Sequence, residues 1–160
     1  MSYRGETDHG QPQEIAVLHV DDEPALSELA ATFLERENER IPVESATNAD
    51  EALDRLAGTE FDCVVSDYDM PGQSGLSFLE SIRSAYPDLP FILFTGKGSE
   101  EVASDAISAG VTDYLQKESG AEQYELLANR IIAAVDQYRT ERELERQNDL
   151  FAKAQDLANV

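Results

Sequence analysis

Short apolar runs alternate with amphipathic stretches along this 160-residue chain. IAVLHV (15–20), FDCVVS (61–66) and FILFT (91–95) are rich in Val, Ile and Phe and read as buried parallel strands. Weaker runs at 41–46 and about 112–116 complete a set of five. A helix is expected from Pro24 to Glu37, with Pro at its first position and Asp22 as its cap. Leu26, Leu29, Ala30, Phe33 and Leu34 would form its apolar face. A second helix runs over 49–57, capped by Asn48 and stopped by Gly58. A third spans 74–86 with Leu76, Leu79 and Ile82 inward, and Pro87 and Pro90 bracket the next turn. Ser99, Glu100, Glu101 and Val102 open a fourth helix that ends at Gly110. Five strand–helix units call for an α/β fold, a parallel sheet covered on both faces.

The last segment reads differently. From Glu122 to Leu157 there is neither Pro nor Gly, and helix formers dominate. Leu126, Leu127, Ile131, Ile132 and Val135 are placed to pack on the sheet, whereas RTERELERQND (139–149) is charged. Leu144, Phe151 and Ala158 recur every seven residues, with Gln147 and Ala154 between them, a short coiled-coil seam. Such a helix either frays in solvent or leaves the domain and pairs with its copy in a homodimer. The expected organisation is a disordered lead-in (1–13), a domain (14–136) and a helical linker or coiled-coil extension (137–160). The ending at Ala158-Asn159-Val160, with no cap, reads as a piece of a longer protein.

Charge narrows the partners. The formal net charge is −21, with three Lys against nine Arg. A field that negative repels nucleic acid and anionic membranes, so neither is expected to bind this chain. The acidic residues are spread over every helix, which reads as solubility in concentrated salt rather than as a surface for a basic partner. No apolar run approaches the roughly 18 residues of a membrane span. MSYRGETDHGQPQE lacks the apolar stretch of a signal peptide. Cys63 is the single cysteine, which excludes an internal disulfide, and its place in an apolar strand makes it a small buried hydrophobe. These features together imply a cytoplasmic protein.

The candidate chemistry sits where the strands end. IAVLHV runs into Asp21-Asp22, FDCVVS into Asp67, FILF into Thr95 and Tyr114-Leu115-Gln116 into Lys117. In an open α/β sheet the carboxyl ends of the strands share one rim, where ligands bind. Two carboxylates about 4 Å apart repel by roughly 4 kcal/mol at an effective dielectric near 20, so three require a cation. A hard divalent ion such as Mg²⁺ takes carboxylate oxygens and bridges to phosphate. A carboxylate is also a nucleophile toward phosphorus. Lys117 could neutralise one phosphoryl oxygen and the Thr95 hydroxyl could bond another, while Gly96 leaves room for entry. Taken singly, Asp22 reads as a helix cap, Lys117 as a surface lysine and Thr95 as an ordinary β-branched strand residue.

The set Asp21-Asp22, Asp67-x-x-Met70-Pro71-x-x-x-Gly75, Thr95-Gly96 and Tyr114-x-x-Lys117 resembles the receiver domain of two-component response regulators. The resemblance covers residues 14 to about 136. It implies a flavodoxin-like (βα)₅ sheet in the order 2-1-3-4-5, which periodicity alone does not supply. It implies Asp67 as phosphoacceptor, taking the phosphoryl group from a sensor histidine kinase or phosphotransfer protein. Asp22, Asp67 and the backbone carbonyl of Asp69 would bind Mg²⁺ directly, with Asp21 acting through water. Thr95 and Lys117 would hold the phosphoryl group, and Thr95 with Tyr114 would form the switch. The acidic, lysine-poor surface and FTGKGSEEVASDAISAGVTDYLQK also resemble haloarchaeal signalling proteins, where a PAS domain and a histidine kinase often follow.

Two positions vary on the family's pattern. Glu118 follows the lysine where receivers usually have a cis proline, which puts the placement of Lys117 in question. Asp69 lies two after the acceptor and Lys97 two after Thr95, and a bridge between them would modulate phosphoryl lifetime. GKGS (96–99) is not a phosphate-binding loop of the Walker type, since the glycine five residues before Gly96 is absent. Such a module modifies itself and does not turn over a substrate. The competing readings are an Mg²⁺-dependent phosphohydrolase and a phosphorylation-silent dimerisation module.

Overall fold

The computed structural model describes residues 13–96 and 98–158. Five strands, β1 (Val17–Val20), β2 (Val43–Ala46), β3 (Cys63–Ser66), β4 (Phe91–Thr95) and β5 (Asp113–Gln116), form one sheet in the order β2-β1-β3-β4-β5, with every neighbour parallel. Helices α1 (Pro24–Glu37), α2 (Ala49–Gly58), α3 (Gly75–Ala85), α4 (Glu100–Ser108) and α5 (Glu122–Ala158) follow the strands in turn. The expected order and parallel sense are both present. β2 begins at Val43 rather than 41 because Pro42 has no N–H to give the ladder. The expected disordered lead-in, apart from Gln13, lies outside the described residues.

The alternation of side chains across the sheet divides the core in two. Ile15, Val17, Cys63, Val65, Ile92 and Phe94 meet Leu34 of α1 and Leu127, Ile131 and Val135 of α5. Leu18, Val20, Val64, Phe91 and Leu93 meet Ala52, Phe78, Leu79, Ile82 and Ala106 of the other helices. Each fully buried Leu, Ile or Phe contributes about 1.5–3 kcal/mol, which is what holds the helices on the sheet.

Three local expectations are corrected. Asp22 does not cap α1; Glu23 occupies the cap position without a side-chain bond, and the Glu23 N–H donates to Asp21 Oδ1 at 3.0 Å. Leu29 is exposed because the inward stripe of α1 runs through Ser27, Ala30 and Leu34, about 100° around the helix from it. Leu126 is exposed for the same reason, one residue off the stripe of Leu127, Ile131 and Val135. The caps Asn48, Ser74 and Ser99 each accept from the backbone N–H three residues on, as a helix start requires.

The last helix outruns the sheet. Arg139 donates to the Glu14 carbonyl at 2.8 Å and pairs with Asp62 at 3.2 Å, and Arg40 pairs with Asp136 at 3.4 Å. These contacts tie α5 to the amino-terminal edge of the sheet. Residues 140–158 are then exposed without exception, a projection of about 28 Å at 1.5 Å per residue. Among the described residues no helix is long and apolar enough to cross a membrane.

Candidate functional site

Register builds the site. Val20 pairs with Ser66, so Asp21 and Asp67 leave the two central strands side by side. Asp67 N–H donates to the Val20 carbonyl at 2.9 Å and Asp21 N–H to the Ala46 carbonyl at 3.1 Å, which extends the ladders into the rim. On the other side Thr95 pairs with Gln116, and Lys117 N–H donates to the Thr95 carbonyl at 2.8 Å. Lys117 therefore starts from a fixed backbone and reaches across β4 to the acids.

Its ammonium lies 3.0 Å from Asp21 Oδ2 and 3.5 Å from Asp67 Oδ2, with the Phe94 ring 5.7 Å below. Carboxylate oxygens of Asp21, Asp22 and Asp67 lie within 4.8 Å of one another. Asp21 is 1% exposed, Asp67 partly buried and Asp22 exposed. Three carboxylates against one ammonium leave a formal −2, a charge and donor set that fit a hard divalent cation. Burial works against the Lys117 ammonium, but Asp67 and Asp21 outweigh it and hold its pKa above the usual lysine value.

The turn after Asp67 is set by a close approach. The Tyr68 N–H donates to Asp67 Oδ1 at 2.7 Å, fixing the carboxylate, and Gly75 N–H returns to the Tyr68 carbonyl at 2.7 Å. A Cβ on Gly75 would run into the Asp67 carbonyl and stand 2.9 Å from the Tyr68 Cα. Glycine is thus needed to let α3 start against the loop that follows Asp67.

The remaining candidates take distinct places. Thr95 is buried at the end of β4. Tyr114 is partly buried against the core layer of α3 and α4. Asp69 is exposed in the β3–α3 loop, and Lys97 lies outside the described residues, so the expected Asp69–Lys97 bridge does too. The described peptide bonds are all trans, Lys117–Glu118 among them, yet Lys117 reaches both acids.

Sequence reasoning missed His19. It points from β1 into the layer shared with α1 and α5, nearly inaccessible, with Nδ1 lacking a hydrogen-bond partner. Burial lowers its pKa to about 4; Asp21 pulls the other way, and Lys117 adds to the depression. Its alternation with Val17 and Asp21 was the available signal, but an apolar run hides a single imidazole. Gln123 was also missed: it accepts from Glu118 N–H at 3.0 Å and donates to the Gly120 carbonyl at 2.8 Å.

Residues 17–129 match the family described as response regulator receiver domain. The response regulator protein FleR of Pseudomonas aeruginosa is 42% identical over 102 residues, which are 63% of this chain and 21% of FleR. The transcriptional regulatory protein ResD of Bacillus subtilis is 35% identical over 107 residues, 67% of this chain and 43% of ResD. The chain thus spans less than half the length of either relative. A response regulator receiver domain protein (CheY-like) from Methanospirillum hungatei JF-1 superposes with a TM-score of 0.71 at 26% identity, covering 81% of this chain and 99% of that one. NtrX from Brucella abortus, in complex with ADP, superposes at 0.72 with 30% identity over 83% of this chain and 30% of its own. With the carboxylate–lysine rim at the switch point of a 2-1-3-4-5 sheet, these similarities establish that the chain belongs to the response regulator receiver family, CheY-like domains in which phosphorylation-dependent switching is typical.

Proposed function

We propose that Asp67 is the phosphoacceptor and that the donor is a phosphohistidine on a sensor histidine kinase or phosphotransfer protein. The observation that carries this is Lys117 spanning Asp21 and Asp67 at 3.0 and 3.5 Å, over a carboxylate held by the Tyr68 N–H. In the transfer an Asp67 oxygen forms a bond to phosphorus while the bond from phosphorus to the donor nitrogen breaks. The electron pair of that bond stays on the imidazole. Catalysis here is positioning and charge neutralisation. Lys117 neutralises a phosphoryl oxygen, and the Thr95 hydroxyl donates a hydrogen bond to another, drawing Tyr114 with it.

Asp22, Asp67 and the Asp69 carbonyl would hold Mg²⁺ directly, and Asp21 through water. When bound, the ion would offset the negative charge shared by acceptor and phosphoryl group. Asp69 and Lys97 remain candidate modulators: if Asp69→Ala and Lys97→Ala both leave the dephosphorylation rate unchanged, that role fails. The extreme acidic charge supports a haloarchaeal source, and the projecting α5 supports a parent protein in which a PAS domain and histidine kinase follow.

The extension would pair with a second copy. Leu144 and Phe151 are exposed along the seam, with Leu150 and Leu157 exposed on its flank. We take 1–13 as a lead-in, 14–136 as the receiver and 137–160 as the linker in a cytoplasmic protein.

Acetyl phosphate with Mg²⁺ should add one phosphoryl group to the native chain, read by intact mass, and none to Asp67→Asn. The beryllium fluoride mimic should change the native spectrum alone. A native chain that stays unmodified at every salt concentration would overturn the assignment.

A further inference from the structure

We infer that Gln123 is a positioning residue for phosphoryl transfer, holding the β5–α5 loop so that Lys117 stays aimed at the two carboxylates. The inference rests on the receiver reading of the rim.

Lys117 needs to be fixed on both sides of its backbone. On the amino-terminal side its own N–H closes on the Thr95 carbonyl. On the carboxyl-terminal side stand Glu118, Ser119, Gly120 and Ala121, all exposed, so no packing holds them. Gly120 sits at φ +91°, a left-handed turn that glycine adopts without strain but does not enforce. Hydrogen bonds must supply the order, and a single side chain supplies two. Gln123 Oε1 accepts from Glu118 N–H at 3.0 Å while Nε2 donates to the Gly120 carbonyl at 2.8 Å. The amide's orientation is unambiguous, because an N–H must meet its oxygen and a carbonyl must meet its nitrogen. Gln123 itself is anchored in the first turn of α5, whose Tyr124 and Leu127 are buried against the sheet.

Glu118 is part of the device. A proline at 118 would have no N–H to donate, so the amide clamp and a non-proline residue after the lysine belong together. Here Lys117 is located through hydrogen bonds from α5.

Gln123 touches neither the acids nor the entering phosphoryl group, so its effect must pass through Lys117. Gln123→Ala should lower the rate of phosphorylation by acetyl phosphate about threefold to tenfold, the scale of one or two exposed hydrogen bonds. Gln123→Glu keeps the acceptor and loses the donor, and should fall between the two. Mg²⁺ affinity, followed by tyrosine fluorescence, should stay within twofold, since the acids are untouched. The decisive measurement is the double mutant. Lys117→Ala with Gln123→Ala should be no slower than Lys117→Ala alone, because the clamp has nothing left to aim. A Gln123→Ala rate within twofold of the native chain would overturn the inference, as would additive losses in the double mutant. A native chain that takes no phosphoryl group under the same conditions would instead sink the receiver chemistry, and this inference with it.

Discussion

The receiver body and the free end of α5 are built from the same chain on opposite plans. In the body two buried layers enclose the sheet, and the charge is one-sided. Between residues 137 and 160 five acidic side chains face four basic ones, a formal −1, which leaves −20 of the total −21 on residues 1–136. Among the described residues, 140–158 of the free end are all exposed, Leu144, Leu150, Phe151 and Leu157 included, the last two 64% and 78% accessible. The body can be strongly charged because its apolar surface is satisfied internally, and net charge of that size disfavours contact between like copies. The extension is near neutral and apolar along one side, the conditions for association. The body carries the carboxylate–lysine rim, and the extension carries the exposed apolar side chains.

The comparison can be broken most directly in the core. Ile131→Ala, in the buried part of α5, should cost about 2–5 kcal/mol by the cavity it leaves, while Phe151→Ala should leave the body's thermal midpoint nearly unchanged. Similar losses at the two positions, in melts monitored by circular dichroism, would show that the extension is not independent of the body. Gly75→Ala should come next, at about 1–3 kcal/mol, because its methyl group meets the Asp67 backbone. It should slow phosphorylation as well, whereas a merely destabilised helix would lose stability alone.

Screening tests the charge half of the contrast. Raising salt from 0.1 to 1 M shortens the Debye length from about 10 to 3 Å. The midpoint of a 1–138 chain should then rise by a few degrees, on the order of 1 kcal/mol, as the body's self-repulsion fades. A midpoint that falls with added salt would mean that ion pairs matter more than repulsion. Sedimentation gives the finest cut: 1–160 should weigh more than a monomer at high concentration, 1–138 should not, and Phe151→Asp should behave as the shorter chain. Cys63 supplies a control throughout. It is buried with its thiol pKa pushed up, so alkylation should require unfolding.

Much of the fold was legible because period and position carry it. Strand runs and the helix starts at Asn48 and Ser99 are local, and local physics repeats them, whereas Gly58 is the last residue of α2 rather than its stop, the cap position falling to Thr59. Leu29 and Leu126 were misread because a helix face is about 100° coarse per residue, and only the neighbouring surface selects which stripe is covered. Asp22 was misread as a cap because the helix begins one residue later than the acidic pair suggests: Glu23 takes the cap position, and its N–H is met by Asp21 Oδ1.

Taken alone, the chain determines the five strand–helix units, the polar residues that end four of the strands, the surplus of negative charge and the change of character after Tyr138. These follow from the order of residues, since burial and helix periodicity are read along the chain. Tertiary structure decided which acids meet Lys117, how Gly75 admits the loop after Asp67 and which amide holds Glu118. Those contacts join residues up to 96 positions apart, and parallel register sets their spacing. No periodicity can encode that spacing, because it arises only when the strands lie side by side.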